Sequence, residues 1–219
     1  MTSKGIIFSA PMVRALYAGR KTQTRRLINP QPQTFETDQG PCDVGLYLDE
    51  SGRNRIVTGR VITTQAVGFA PKDRLYVREA AAIASIFTDV AEIRYKTHES
   101  ASHNEFVEQI PVAKIGCAQA TWPKYRPSIH MPRAWSRLWL DVTNVHVERL
   151  QDITEADALA EGIDRLEYPE TGDWGWPQQR YADLWNSLHT TDGTRWEDNP
   201  WIVALTFEVH HGNIDGDAN

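Results

Sequence analysis

The chain has 219 residues, with 23 lysine and arginine residues against 29 aspartate and glutamate residues, and its formal net charge is −6. A hydrophobic content of 41% with eight tryptophans excludes disorder throughout, because these side chains supply the apolar surface that a core requires. No apolar run reaches the roughly 18 residues that a membrane span needs, and the N-terminus lacks the features of a signal peptide. We therefore expect a cytoplasmic protein with no membrane partner.

The cysteine and histidine content gives no sign of a metal centre. The two cysteines, Cys42 and Cys117, are too few for a four-cysteine zinc site or for a disulfide framework. The seven histidines show no H-E-x-x-H or comparable spacing. We therefore expect no metal ion and no other cofactor.

The charge is unevenly distributed along the chain. Residues 141–219 contain 17 acidic and 4 basic residues, whereas residues 1–140 contain 12 acidic and 19 basic ones, so the two parts carry −13 and +7. Two stretches, 1–26 and 114–137, contain no acidic residue. Basic side chains among aromatic ones can pair with phosphate and stack on bases, so each stretch is a candidate nucleic-acid-binding surface. The alternative is that both are ordinary solvated faces.

Taken in chain order, the first elements are a short strand at residues 6–8 and a helix. Pro11 suits the first turn of that helix, and Gly19 suits its end as a left-handed cap. Residues 20–26 predict a basic loop or strand. Residues 29–55 are rich in proline, glycine and polar residues, which predicts an irregular excursion or a flexible insertion.

The later elements are mostly strands. A polar stretch within 83–112 is interpreted as another insertion around a strand at 92–96, and the prolines of 121–133 predict an ordered loop. The remaining elements are predicted strands at 56–67, 74–79, 137–150 and 201–209, and predicted helices at 154–162, where Thr154 begins a capping motif, and at 177–188.

These elements show no regular β-α-β alternation, which indicates an α+β fold with a mostly antiparallel sheet or a small β-barrel. The chain length fits one large domain or one domain with insertions. The aspartate-, glycine- and asparagine-rich residues 212–219 predict a disordered tail.

The densest polar segment is G-R-K-T-Q-T-R-R, which contains Lys21, Thr24, Arg25 and Arg26. It is not a phosphate-binding loop, because only the final K-T of that motif is present. Thr24 is a candidate nucleophile if a nearby base accepts its proton. Lys21 can be that base if burial or the neighbouring arginines lower its pKa toward neutrality. The alternative is an exposed strand edge with ordinary charges.

Two carboxylates are candidates as well. Arg78 and Glu79 are adjacent in a predicted strand and point to opposite faces, so one of them must face inward, where an unpaired charge is unfavourable. Glu161 comes just before Gly162 at a predicted helix end, where a negative charge opposes the helix dipole. A carboxylate in a locally unfavourable place indicates function.

The loop after residue 121 carries the other candidates. Trp122 and Tyr125 could stack on bases, Arg133 and Arg137 could bind phosphate, and His130 lies in a rigid proline-flanked segment. Ser128 and His130 alone are a weak signal for a hydrolytic triad, since no G-x-S-x-G surrounds the serine.

These segments together resemble the ASCH-domain family, and more closely its longer members encoded by phages and prophages. The most specific motifs are G-R-K-T-x-T-x-R and T-E-A-x-A-x-x-E-G-I. The full resemblance rests on the runs FSAPMVRALYAGRKTQTRRLINPQP, DRLYVREA, YRPSIHMPRAWSRLWLDVTNVHVERLQDITEADALAEGI, YADLWNSLH and NPWIVALTF. It implies a PUA-like small barrel with flanking helices as one domain over residues 1–211, with insertions near 29–55, 83–112 and 163–175.

The resemblance also implies an activity. Some small members of the family are amidohydrolases that remove the acetyl group from acetylated cytidine, and their lysine, threonine and glutamate fall on Lys21, Thr24 and Glu161. Lys21 would deprotonate Thr24 for attack on the amide carbonyl, and Lys21 and Glu161 would then relay protons. Arg26 would stabilise the oxyanion or hold the substrate.

Two further readings remain open at this point. The first is a non-catalytic RNA- or DNA-binding module in which the basic residues named above bind phosphate while the aromatic ones stack on bases. The second is a ribonuclease with His130 as the candidate base. The expected ligand is thus a modified nucleoside, RNA or DNA.

Overall fold

The computed structural model describes residues 3–32, 36–37, 40–41, 44–49, 53–58, 61–98, 107–116, 121–164, 166–168 and 173–216. The fold is mixed α+β, as the sequence predicts, with many strands and few helices. The strands are β1 (Ser3–Ile7), β2 (Gln23–Leu27), β3 (Glu36–Thr37), β4 (Gly40–Pro41), β5 (Val44–Leu48), β6 (Asn54–Thr58), β7 (Val61–Ala66), β8 (Arg74–Arg78), β9 (Ala81–Ile86), β10 (Val90–Tyr95), β11 (Val107–Pro111), β12 (Leu138–Arg149), β13 (Leu166–Tyr168), β14 (Asp173–Gly175) and β15 (Trp201–His211).

The helices agree with the local sequence signals. The α-helices are α1 (Ala10–Tyr17), α2 (Glu155–Ala160) and α3 (Pro177–Leu188), and single 3₁₀ turns occur at Lys96–His98, Val112–Lys114, Ser128–His130, Arg133–Trp135 and Leu150–Asp152. Gly19 follows α1 with a φ of 69°, the left-handed conformation that glycine adopts most readily. None of the helices among the described residues is long and apolar enough to cross a membrane.

The chain divides into two compact units. Unit 1 comprises residues 1–19, 73–141 and 208–219, and unit 2 comprises residues 20–72 and 142–207. No sheet of the described residues closes on itself, so the small barrel stays a prediction, as does the single domain over 1–211.

Unit 1 contains two groups of strands. β8 pairs in parallel with β1 and antiparallel with the start of β12, and β10 lies between β9 and β11 in an antiparallel sheet. Apolar residues of β9, β10 and β11 pack in one buried cluster with Met131 from the proline-rich loop and with Trp135, which follows it. The loop therefore contributes to a core. Its prolines restrict the backbone, which agrees with the ordered loop that the sequence predicts.

Unit 2 contains β2 at the edge of a sheet, paired antiparallel with β15. The register sets Arg25 opposite Ala204 and Leu27 opposite Ile202. Ala204 and Ile202 belong to a buried cluster with residues of α2 and α3, among them Ala158, Tyr181 and Trp185. Since cross-strand partners share a face, Arg25 lies on the face of β2 that α2 and α3 cover.

Two regions differ from their sequence-based descriptions. The region 29–55, expected to be irregular, contains β3, β4, β5 and the start of β6 among its described residues, because short alternating runs such as V-G-L-Y-L form strands despite nearby glycine and proline. In the predicted tail, Ile214 is buried and Asn213 donates side-chain hydrogen bonds to the backbone oxygens of Arg133 and Ser136. Residues 217–219 lie outside the described residues, as do Cys42 and Cys117.

The first turn of α2 offers a stability test. Thr154 Oγ1 accepts a hydrogen bond from Asp157 N, and Asp157 Oδ2 accepts one from Thr154 N, which is a complete capping box. We expect Thr154→Ala to lower the free energy of unfolding by about 1 kcal/mol, because it leaves the Asp157 N–H without the acceptor that Thr154 Oγ1 provides. Chemical denaturation measures the loss, with the exposed Thr190→Ala as the matched control; equal effects of the two variants would contradict the cap.

Candidate active site

Lys21 and Glu161 are in direct contact in unit 2. Lys21 lies just before β2, and Glu161 ends α2 ahead of Gly162, whose φ of 87° turns the chain. The two residues form an antiparallel bridge, supported by a 2.8 Å hydrogen bond from Thr22 N to Ala160 O. Backbone pairing therefore brings the polar segment at the start of β2 against the end of α2.

The Lys21 side chain is buried against this helix end. Its Nζ donates to Glu161 Oε2 at 2.6 Å and to the backbone oxygen of Glu161 at 2.8 Å, while Lys21 is only 1% exposed. Burial lowers the pKa of Lys21 because it disfavours the charged ammonium, and the positive charges of Arg26 and Arg25 lower it further, while the Glu161 carboxylate opposes the shift. Lys21 thus has the environment of a base that gives up its proton more readily than an exposed lysine.

Arg25 connects the pair to further carboxylates. It is buried, and its guanidinium donates to Glu148 Oε1 at 2.8 Å and to Glu161 Oε1 at 3.4 Å. Asp157 Oδ2 lies 3.5 Å from the same guanidinium. Burial alone would raise the pKa of Glu148, but the hydrogen bond from His146 and the charge of Arg25 hold it below its ordinary value. This charged network therefore contacts Glu161 through Oε1, whereas Lys21 contacts Oε2.

Arg26 and Tyr181 complete the surroundings of Glu161. Tyr181 Oη donates to Glu161 Oε1 at 3.4 Å, and burial together with the nearby carboxylate raises the pKa of Tyr181 well above its usual value. Tyr181 is therefore a neutral hydrogen-bond donor. Burial lowers the pKa of Arg26, while its electrostatic attraction to Glu161 opposes that shift. Three cationic side chains thus act on one carboxylate.

Thr24 is also buried, in the middle of β2 opposite Leu205 of β15. Strand alternation places its side chain on the face shared with Arg26, and Arg25 on the other face. Thr24, Arg25 and Arg26 thus lie within β2, just after Lys21, and the side chains of Lys21 and Arg25 contact Glu161.

The other predicted residues lie in unit 1, mostly in separate places. Glu79 and Arg137 form a buried ion pair, with Arg137 Nε donating to Glu79 Oε1 at 2.8 Å. Arg78 donates to the backbone oxygen of Ile129. Arg133 donates to Asp215, at 3.0 Å through Nε.

The aromatic candidates of unit 1 are more accessible. Trp122 is 49% exposed, with the Arg94 guanidinium 5.4 Å from its ring centroid. Tyr125 is half-buried and His130 is exposed.

Sequence reasoning missed Glu148, Asp157 and His98 as members of charged networks. His146 and Glu148 are two apart in β12, and this spacing on one strand face signals that they can interact. Tyr181 lies on the buried face of α3, and its hydroxyl contact with Glu161 depends on tertiary folding.

Within the described part of the chain, no group of three or more histidine, cysteine, aspartate or glutamate side chains could hold a metal ion. No protein-family model, curated protein or solved structure matches this chain.

The pKa of Lys21 can be tested directly. We expect its ¹³Cε signal in lysine-labelled protein to titrate at a lower pH than the ordinary value near 10.5, because burial destabilises the ammonium. In Glu161→Gln the pKa should fall further, since the carboxylate that favours the charged form is removed. Titration at the ordinary value, or a rise in Glu161→Gln, would contradict this electrostatic description.

The same shift links stability to pH. Between the lowered pKa of folded Lys21 and 10.5, the unfolded chain binds more protons than the folded chain. The Lys21 contribution to the free energy of unfolding should therefore rise as the pH increases through that window. Denaturation of the wild type and of Lys21→Met at a series of alkaline pH values measures the difference, which should be constant if Lys21 titrates normally.

Proposed function

We propose that this chain is a cytoplasmic ASCH-family protein of PUA-like fold that hydrolyses the amide of an acylated cytidine-type nucleoside with Lys21, Thr24 and Glu161. The observation that carries the proposal is the buried contact between Lys21 Nζ and Glu161 Oε2 at 2.6 Å. Residues 140 positions apart in the chain meet here, and they are the two that the family resemblance assigns to proton transfer.

The first half-reaction would transfer the acyl group to Thr24. Lys21 in its neutral form, which burial favours, accepts the Thr24 hydroxyl proton as the oxygen attacks the amide carbonyl carbon. The carbonyl becomes a tetrahedral oxyanion, which the Arg26 guanidinium stabilises. When the C–N bond breaks, the departing nitrogen takes a proton from Lys21, leaving an ester on Thr24.

The second half-reaction would release the acid. Lys21, neutral again, accepts a proton from water as that water attacks the ester carbonyl. The C–O bond to Thr24 then breaks, and Lys21 donates the proton to the departing Thr24 oxygen, which restores the neutral lysine and the hydroxyl. The products are the free nucleoside and the carboxylic acid. Tyr181 and Arg25 hold Glu161 in place through hydrogen bonds to Oε1. The carboxylate beside Lys21 therefore keeps one position through both half-reactions.

The test is turnover of acetylcytidine, followed by the loss of its acyl chromophore. We expect hydrolysis by the wild type and none by Thr24→Val, which preserves the shape of the buried residue without its hydroxyl. Absence of turnover with any acylated nucleoside, together with salt-dependent oligonucleotide binding, would overturn the hydrolase and favour a binding module.

That binding module is the second candidate function, and one observation supports it. Trp122 is half-exposed beside Arg94 in a segment without acidic residues, an arrangement suited to stacking on a base next to a phosphate. Binding of this kind should weaken as the salt concentration rises. The slope of the logarithm of the binding constant against the logarithm of the salt concentration should decrease in magnitude by about one unit for each phosphate-contacting arginine removed. No observation favours the ribonuclease, whose candidate base was His130.

A further inference from the structure

Unit 1 contains a second buried charge cluster, separate from the residues of the proposed hydrolase. Its centre is the pair formed by Glu79, which follows β8, and Arg137, which precedes β12. Both side chains are almost completely buried, and Arg137 contacts both Glu79 oxygens, through Nε at 2.8 Å and Nη2 at 3.1 Å. The pair forms a bidentate fork of the strongest kind that arginine and carboxylate make.

The hydrogen bonds of Arg137 leave one nitrogen unused. Nη2 also lies 2.8 Å from His98 Nδ1, and since a guanidinium can only donate, Nδ1 must be the acceptor and His98 a neutral ring protonated on Nε2. Burial and the charge of Arg137 lower the pKa of His98, which agrees with that neutral state. Nη1 is buried and has no hydrogen-bond partner among the described residues, so two of the five N–H groups have no acceptor.

A buried charged donor without an acceptor is unfavourable. The Arg137 guanidinium packs against aromatic rings. The guanidinium is 3.9 Å from the Tyr95 ring centroid and 5.2 Å from that of Tyr17. Tyr17 in turn contacts His98 and His211 edge-on, at centroid distances of 5.5 and 4.7 Å. Tyr17 and His98 are only half-buried and His211 is exposed, so these three rings lie near the surface of the unit.

A second arginine lies next to the cluster. Arg14, on the exposed face of α1, donates to the backbone oxygen of Thr97 at 3.0 Å, immediately before His98. Its charge contributes to the low pKa of His98. Among the described residues, the charges that act on His98 are the guanidinium groups of Arg137 and Arg14 and the carboxylate of Glu79. This local excess of positive charge favours an anion.

We propose that Arg137 Nη1 and Arg14 bind the oxyanion of a phosphate group at the edge of the His98 ring in unit 1. A phosphate offers several acceptor oxygens in a tetrahedral arrangement, so it can accept from two differently oriented guanidinium groups at once. Rotation of the half-buried His98 or Tyr17 side chain would give the phosphate access to Arg137 Nη1. The phosphate is either inorganic or carried by a nucleotide.

The test is calorimetric titration of the full chain with inorganic phosphate, with the histidine side-chain ¹⁵N spectrum as a second readout. We expect saturable binding that shifts the His98 signals. Arg14→Gln should weaken binding by about tenfold, because one charge-assisted contact with the phosphate is lost. Lys72→Gln, which removes an exposed cation of unit 2, should leave binding unchanged.

A second variant and two further titrants complete the design. Arg137→Lys keeps a cation for Glu79 but removes Nη1, so its folded form should bind phosphate at least tenfold more weakly. A nucleoside 5′-monophosphate that binds more tightly than phosphate, while the nucleoside alone does not shift His98, would assign the nucleotide as the source. Absence of saturable binding, or equal binding by the wild type and Arg14→Gln, would overturn the proposal. Neither outcome depends on Lys21, so acetylcytidine turnover is judged separately.

Discussion

Replacing Lys21 by methionine is expected to slow acetylcytidine hydrolysis by about 10²–10⁴-fold, the range that a positioned general base contributes. Methionine fills a similar volume but cannot accept the proton of Thr24. Burial lowers the pKa of Lys21, so its nitrogen is a better proton acceptor near neutral pH than that of an exposed lysine. Steady-state kinetics with the acyl chromophore measures the loss, which should appear in kcat.

Two companion variants separate chemistry from folding. Lys21→Arg keeps a cation beside Glu161 but cannot act as a base, so it should be as inactive as Lys21→Met while unfolding closer to the wild type. Lys4→Met removes a partly exposed lysine whose contact is Asp73 in unit 1, and it should hydrolyse at the wild-type rate. Wild-type turnover by folded Lys21→Met would show that the lysine is not the base.

The largest stability effect is expected for Arg137→Met, which should lower the free energy of unfolding by about 3–5 kcal/mol. The substitution leaves the Glu79 carboxylate buried without the guanidinium that donates to both of its oxygens. It also removes the cation that contacts the Tyr95 ring. Chemical denaturation of the full chain measures the change.

The matched variants for this prediction are an exposed pair and a double substitution. Arg133→Met breaks the contact with Asp215, where both side chains are more than a third exposed, and should cost no more than about 1 kcal/mol. Glu79→Gln combined with Arg137→Met removes both charges and should recover much of the loss. An Arg137→Met effect no larger than that of Arg133→Met would contradict a buried ion pair.

Local signals predicted several elements well. The capping motif at Thr154, the glycine after α1 and the alternation through β12 each act within a few residues, so the sequence alone indicates them. The adjacency of Arg78 and Glu79 predicted that one of them faces inward. The structure confirms that Glu79 is the buried one, and it supplies the partner, Arg137, that the sequence could not specify.

Long-range partners were harder to predict because they depend on tertiary folding. Nothing in the spacing of Lys21 and Glu161 indicates that their side chains are in contact. The unfavourable helix-end position of Glu161 made it a candidate, and only the resemblance to the ASCH family predicted that the two residues act together. The charge partition agrees with the result, since the lysine comes from the basic part and the glutamate from the acidic part of the chain. His98 gave no signal, because its role depends on packing beside Arg137.

The most direct test of the central claim is a search for the covalent intermediate. Wild-type protein mixed with acetylcytidine and quenched in acid within one turnover should carry one acetyl group, located on Thr24 by peptide mass spectrometry. Thr24→Val should carry none. Hydrolysis that proceeds at the wild-type rate in Thr24→Val, or a quenched wild-type chain without acetyl on Thr24 during active turnover, would contradict the lysine–threonine–glutamate mechanism.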